Sequence, residues 1–193
     1  ELFAMRYPAP GDPALAQRIV DLFRNHGLAV TPDPDRGLDH GAWVPLSVVY
    51  PGADSPVVQL SIAANASPEW HYALGQALAP LRDEGVLIIG SGSMTHNLRA
   101  FFTTRPAIGA PVPTWVSDFT AWVAGRMEAN AVDDVLHAVE RAPHGRDNHP
   151  TPDHILPLFV AMGAGADEHG LSAKRLHDST TYAVLAMDVY AFG

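Results

Sequence analysis

The sequence predicts an α/β fold: a single domain with a central, mostly parallel mixed sheet flanked by helices. Three observations carry this reading. Pro56-Val57-Val58-Gln59-Leu60-Ser61-Ile62 is rich in strand-forming residues. Val86-Leu87-Ile88-Ile89 is a short, wholly apolar run, as expected of a strand buried on both faces. Between them, Ser67-Pro68-Glu69 opens a helix that runs to about Asp83. Strand, helix and strand in that order form a β-α-β unit, so the two strands should be parallel with a right-handed crossover. The chain has 193 residues, 47% of them hydrophobic, enough for one domain with a sizeable core.

The remaining elements follow in order. Asp12-Pro13 supplies a capping side chain and a proline at the first helical position. Leu15, Ile19, Val20, Leu22 and Phe23 give that helix one apolar face, and Gly27 ends it. Residues 28–31 are expected as a short strand, and residues 32–37 as a turn-rich loop. A short helix is expected within residues 38–50, ending near Tyr50-Pro51-Gly52. Residues 101–113, with three prolines, read as loop. Residues 114–128 and 131–141 read as amphipathic helices, and residues 143–150 as a polar loop. Thr151-Pro152-Asp153 opens a further helix, with Pro157 near its first turns. Residues 180–190, rich in Val, Tyr and Leu, read as a final strand.

Composition removes several functions. A formal net charge of -9 argues against a nucleic-acid groove, because phosphate binding needs a basic face. With no cysteine, disulfides, thiolate metal sites and cysteine nucleophiles are excluded. No apolar run is long enough to span a bilayer, and no signal peptide is visible, so a cytoplasmic protein with no membrane partner is expected. The chain opens at Glu1 and not at methionine, so its natural start is expected to lie further upstream.

Ten histidines against twelve lysines and arginines leave room for acid–base or metal chemistry. His96 stands where the apolar run breaks into Gly90-Ser91-Gly92-Ser93-Met94-Thr95. In open α/β sheets, ligands bind beyond the carboxyl ends of the strands. His96 is therefore a candidate acid, base or metal ligand, or an ordinary hydrogen-bonded loop residue. His40, in Asp39-His40-Gly41, and His154, in Thr151-Pro152-Asp153-His154, occupy comparable positions at the ends of elements. His26, His71, His137, His169 and His177 read as surface or internally satisfied residues. Trp43, Trp70, Trp115 and Trp122 read as core or cleft packing.

Four motifs, in order, give a resemblance. They are Leu38-Asp39-His40-Gly41-Ala42-Trp43-Val44-Pro45-Leu46; Pro56-Val57-Val58-Gln59-Leu60-Ser61; Gly85-Val86-Leu87-Ile88-Ile89-Gly90-Ser91-Gly92 with Thr95-His96-Asn97-Leu98; and His149-Pro150-Thr151-Pro152-Asp153-His154-Ile155-Leu156-Pro157-Leu158. Together they resemble the class III extradiol ring-cleavage dioxygenases, in the DOPA-dioxygenase-like branch. The resemblance covers nearly the whole chain. It implies opening of the ring of a catechol, DOPA-like or a related phenolic acid, by O2 at a non-haem metal, Fe(II) or Zn(II). It implies His96 as an acid/base or metal-side residue, His154 as a metal ligand, and His40 as a catalytic group on the substrate side. Trp43 beside His40 is expected to line the aromatic pocket. Arg99 is expected either to pair a substrate carboxylate or to form a surface ion pair.

The family also carries His-Gly-Ser-Pro and Ser-Ala-His-Trp motifs, whose histidines bind metal. Neither occurs among these 193 residues, where the His-Gly pairs are His26-Gly27, His40-Gly41, His144-Gly145 and His169-Gly170 and none continues as Ser-Pro. The expectation is a chain matching the C-terminal part of the family's domain without its N-terminal section, completed by a complementing N-terminal fragment or a homo-oligomer. Two alternatives accompany it: a non-catalytic binding module like the Memo-type proteins of the same fold, and a zinc-dependent hydrolase.

Overall fold

The computed structural model describes residues 5–193. The chain divides into two compact units, Glu1–Ser61 and Ile62–Gly193. In the first, α1 (Pro13–Asn25) starts as its sequence dictates. The Asp12 side chain accepts the Leu15 N–H at 2.9 Å, and Ile19, Leu22 and Phe23 form its buried stripe. Helix α2 (His40–Val49) is capped by Asp39, which accepts the Ala42 N–H at 3.2 Å. Residues 28–31 form no strand.

The second unit is mainly helical. Helix α3 (Pro68–Leu78) is capped by Ser67 and tightens into a 3₁₀ turn, Ala79–Arg82, at Pro80. It is followed by α4 (Leu98–Thr104), α5 (Thr114–Glu128), α6 (Val132–Leu136), α7 (Ala138–Arg141), α8 (Gly145–Asn148) and α9 (Leu156–Gly165). Helix α9 is apolar nearly throughout and forms the centre of the unit, with α3 packed along it. The approach is so close that a Cβ on Gly163 would stand 2.0 Å from the Tyr72 carbonyl oxygen. Val116, Phe119, Val123 and Met127 recur at intervals of three or four along α5 and are all buried. Phe119, Val123 and Met127 join Val135, Ile155, Phe159 and Met162 in the main core.

Four short strands end the chain: β1 (Ala173–His177), β2 (Thr180–Thr181), β3 (Leu185–Ala186) and β4 (Val189–Phe192). β1 pairs with β4 and β2 with β3, both antiparallel. The single strand expected over 180–190 is split, because Tyr182 and Ala183 both take positive φ (48° and 59°) and reverse the chain.

The α/β class holds, but the described residues form no central parallel sheet. Segments 56–62 and 86–89 have no ladder partner. Alternation along 86–89 leaves Val86 and Ile88 half-buried while Leu87 and Ile89 are 67% and 54% exposed, so this run is not covered on both faces. An apolar pattern specifies which side chains seek cover, but a ladder also needs a neighbouring strand. Elsewhere the helix expected over 131–141 breaks at His137, and the loop expected at 143–150 contains the single turn of α8. The loop expected from residue 101 begins only after α4, at Arg105, whose φ is 44°. No helix among the described residues is long and apolar enough to cross a membrane.

Candidate active site

Within the second unit the rings of His96 and His154 lie face to face, centroids 3.3 Å apart and planes within 9°. Their segments hold them there. Ser93 donates its N–H to the His154 carbonyl at 2.9 Å, and His96 donates its own to the Asn148 carbonyl at 2.9 Å. Asn97 donates its side-chain amide to the Asp147 carbonyl at 2.6 Å and accepts the Ala100 N–H at 2.8 Å, capping α4. Thr95, fully buried, donates its hydroxyl to the Val184 carbonyl and accepts the Ala186 N–H, each at 2.8 Å. The glycines of the loop matter where it meets the turn before α9: a Cβ on Gly92 would stand 2.3 Å from the His154 carbonyl oxygen.

His154 sits in that turn, two residues before α9 begins, and not within a helix's first turn as expected. Pro157 is tolerated because it falls at the helix start, where an N–H is not needed. A carboxylate oxygen of Asp153 lies 2.6 Å from His154 Nδ1, but off the line of a hydrogen bond, so that buried nitrogen has no aligned partner. Asp153 is anchored by the Thr151 hydroxyl at 2.5 Å. Burial alone would raise its pKa, but the Thr151 hydrogen bond and nearby His154 outweigh it and hold the carboxyl below its ordinary range. His96 is pushed below the usual imidazole value, chiefly by burial and then by its neighbour His154, with Asp153 opposing. A neutral, proton-accepting imidazole is thereby favoured at position 96.

One histidine of this site was given no role by the sequence, although it opens the motif that ends in His154. His149 is 2% exposed and donates from Nε2 to the Met94 carbonyl at 2.9 Å. Burial, first of all, takes its pKa down to about 4. Its ring lies 5.5 Å from that of Phe119. The proline-rich spacing His-Pro-Thr-Pro-Asp-His was the available signal, since it returns two imidazoles to one turn.

Arg99, the second residue of α4, is exposed and makes no ion pair among the described residues. His40 and Trp43 belong to the first unit. His40 is exposed at the first position of α2, and Trp43 is half-buried. Asp39 caps the helix and exchanges two hydrogen bonds with the Gln59 side chain, at 2.8 and 2.9 Å. Trp43 lines a cavity of about 500 Å³ with Tyr7, Arg36, Leu38 and Val57, also of that unit. His71 is buried and internally satisfied, through Nδ1 to the Ser67 carbonyl at 2.9 Å and through Nε2 to the Ala63 N–H at 3.3 Å. Among the described residues no group of three or more His, Asp or Glu side chains is arranged to hold a metal ion, so these residues alone do not make up a metal shell.

Residues 1–193 match the family model described as the catalytic LigB subunit of aromatic ring-opening dioxygenase. A Beta vulgaris protein named 4,5-DOPA dioxygenase extradiol is 43% identical over 197 residues, covering 99% of this chain and 69% of its own length. An Escherichia coli K12 protein of the same name is 40% identical over 166 residues, covering 84% of this chain and 59% of its own. The crystal structure of uncharacterized protein JW3007 from Escherichia coli K12 superposes with a TM-score of 0.79 at 34% identity, over 98% of this chain and 77% of that one. The chain therefore spans roughly six to seven tenths of the length of these named relatives. It belongs to the LigB family of extradiol aromatic ring-opening dioxygenases, oxidoreductases that work with a non-haem metal.

Proposed function

We propose that this chain forms part of a dioxygenase that opens the ring of a catechol, DOPA or a related phenolic acid, with the His96–His154 pair in the reaction site. The stack of two motif histidines from distant parts of the chain is the observation that supports it best. The name of the Beta vulgaris relative, 4,5-DOPA dioxygenase extradiol, supports the substrate class. In this reading His96 accepts a phenolic proton as a neutral imidazole and later returns it as an imidazolium. Its depressed affinity for protons keeps the ring neutral before the substrate arrives and makes the imidazolium a ready donor in the second half of that cycle. His154 serves as a ligand of Fe(II) or Zn(II), with His96 on the metal side. The remaining ligands come from outside the described residues, from the family's N-terminal section or a further copy of this chain. Arg99 takes the substrate carboxylate bidentately. His40 and Trp43 keep the acid–base and aromatic-pocket roles that their motif implies. The described residues by themselves do not complete the metal's shell.

The test is oxygen uptake, together with formation of a coloured ring-opened product, by the chain supplied with ferrous iron, a complementing fragment and a panel of catechols. Catechols should be turned over and simple phenols should not. His96→Ala should lower turnover by about 10²–10⁴-fold with the circular dichroism spectrum unchanged. No oxygen consumption across the panel overturns the function, and undiminished turnover in His96→Ala removes that residue from the mechanism.

A further inference from the structure

We propose that His149 is the positioning residue for His96: its buried imidazole holds the glycine-rich loop so that the His96 ring meets the His154 ring. Three observations lead there. First, among the described residues the only hydrogen bond of the His149 ring runs from Nε2 to the Met94 carbonyl, 2.9 Å away and two residues before His96. A carbonyl only accepts, so the ring must carry its proton on Nε2. Second, the neighbouring backbone completes the grip: the Asn148 carbonyl accepts the His96 N–H at 2.9 Å. Asn148 is itself immobilised, since its side-chain amide donates to the carbonyls of Trp115 at 2.8 Å and His144 at 3.0 Å. Third, the same short segment delivers His154, whose carbonyl takes the Ser93 N–H at 2.9 Å. Residues 148–154 thus hold residues 93–96 at three points, and both stacked rings hang from the two strands of that clamp.

The chemistry explains why an imidazole is used. The donor must reach a buried carbonyl and stay uncharged when removed from water. His149 does both, with the Phe119 ring tilted beside it, centroids 5.5 Å apart. Lysine or arginine would bring a charge, and an apolar side chain would leave the Met94 carbonyl without its partner. The loop has little stiffness of its own, since Gly90-Ser91-Gly92-Ser93 restricts the backbone weakly. The catalytic meaning of the inference rests on the function proposed above, but the geometry does not.

The experiment uses the metal-free, ¹⁵N-labelled full chain and long-range proton–nitrogen correlation of the histidine rings, with His96→Ala and His154→Ala assigning the signals. At neutral pH His149 should be uncharged with its proton on Nε2. The carbon-bound ring protons of His96 and His154 should be displaced by each other's ring currents. His149→Phe should collapse those displacements to the values of exposed histidines, and His149→Gln, which keeps a donor, should retain them. Unchanged displacements in a folded His149→Phe overturn the proposal. So does a wild-type His149 that is charged or protonated on Nδ1, a measurement that needs no variant to fold. In the turnover assay His149→Phe should lower kcat by about a hundredfold, leave KM nearly unchanged and be rescued by glutamine. An inactive wild-type chain would count against the dioxygenase reading while leaving the ring-current result intact.

Discussion

His149 loses affinity for protons on folding, from the ordinary imidazole value of 6.5 to about 4, because its ring is removed from water. Between those values the unfolded chain holds more protons than the folded one. Acidification through that window therefore favours unfolding, and the stabilisation is complete above about pH 6.5. The full effect is on the order of 3 kcal/mol. His96 shifts in the same direction and adds to the trend. Urea denaturation of the metal-free chain across this range should show the midpoint falling with pH, and His149→Phe should flatten that dependence. An equal slope in the variant would mean that His149 takes up its proton without unfolding. At this scale the sequence marked His96 and His154 from their place beside glycine and proline signals. It passed over His149, because burial is a property of the surroundings and the local sequence around an interior histidine looks like that around an exposed one.

Helices were the most legible elements, since their signals are local. Asp12, Asp39 and Ser67 each sit where a side-chain oxygen takes an otherwise unpaired helix N–H, and each opens a helix in the structure. The apolar spacing of α5 likewise predicted its buried stripe. The strands were not legible in the same way. Segments 56–62 and 86–89 have strand-like composition yet pair with nothing described, whereas Ala173-Lys174-Arg175-Leu176-His177, with three basic side chains, does form a strand opposite β4. Composition cannot name a partner, and the partner decides. The crossing of α3 and α9 is equally non-local. Gly163→Ala would place a methyl against the Tyr72 carbonyl, where backbone rather than a flexible side chain must move. It should destabilise the chain by about 1–3 kcal/mol, read as a lower denaturant midpoint at unchanged slope. Wild-type stability in that variant would show that the helices separate at little cost.

The whole molecule resolves into two units, and His96, His149 and His154 all lie in Ile62–Gly193, with the main core. That segment should fold alone. A chain of residues 62–193 should unfold cooperatively and keep the ring-current signature of the His96–His154 stack. Gradual, non-cooperative melting would show that its core depends on residues outside it. Exposed Leu87 and Ile89 on an unpaired extended segment also leave apolar surface of the kind that association covers. By itself the sequence determined where helices begin, that the chain is acidic, and which family it belongs to, because caps, charge and ordered motifs are written in neighbouring residues. Only the tertiary structure decided which extended segments pair and that His149 stands behind His96. Both depend on contacts between residues far apart in the chain, and no short window of sequence records the free energy of those contacts.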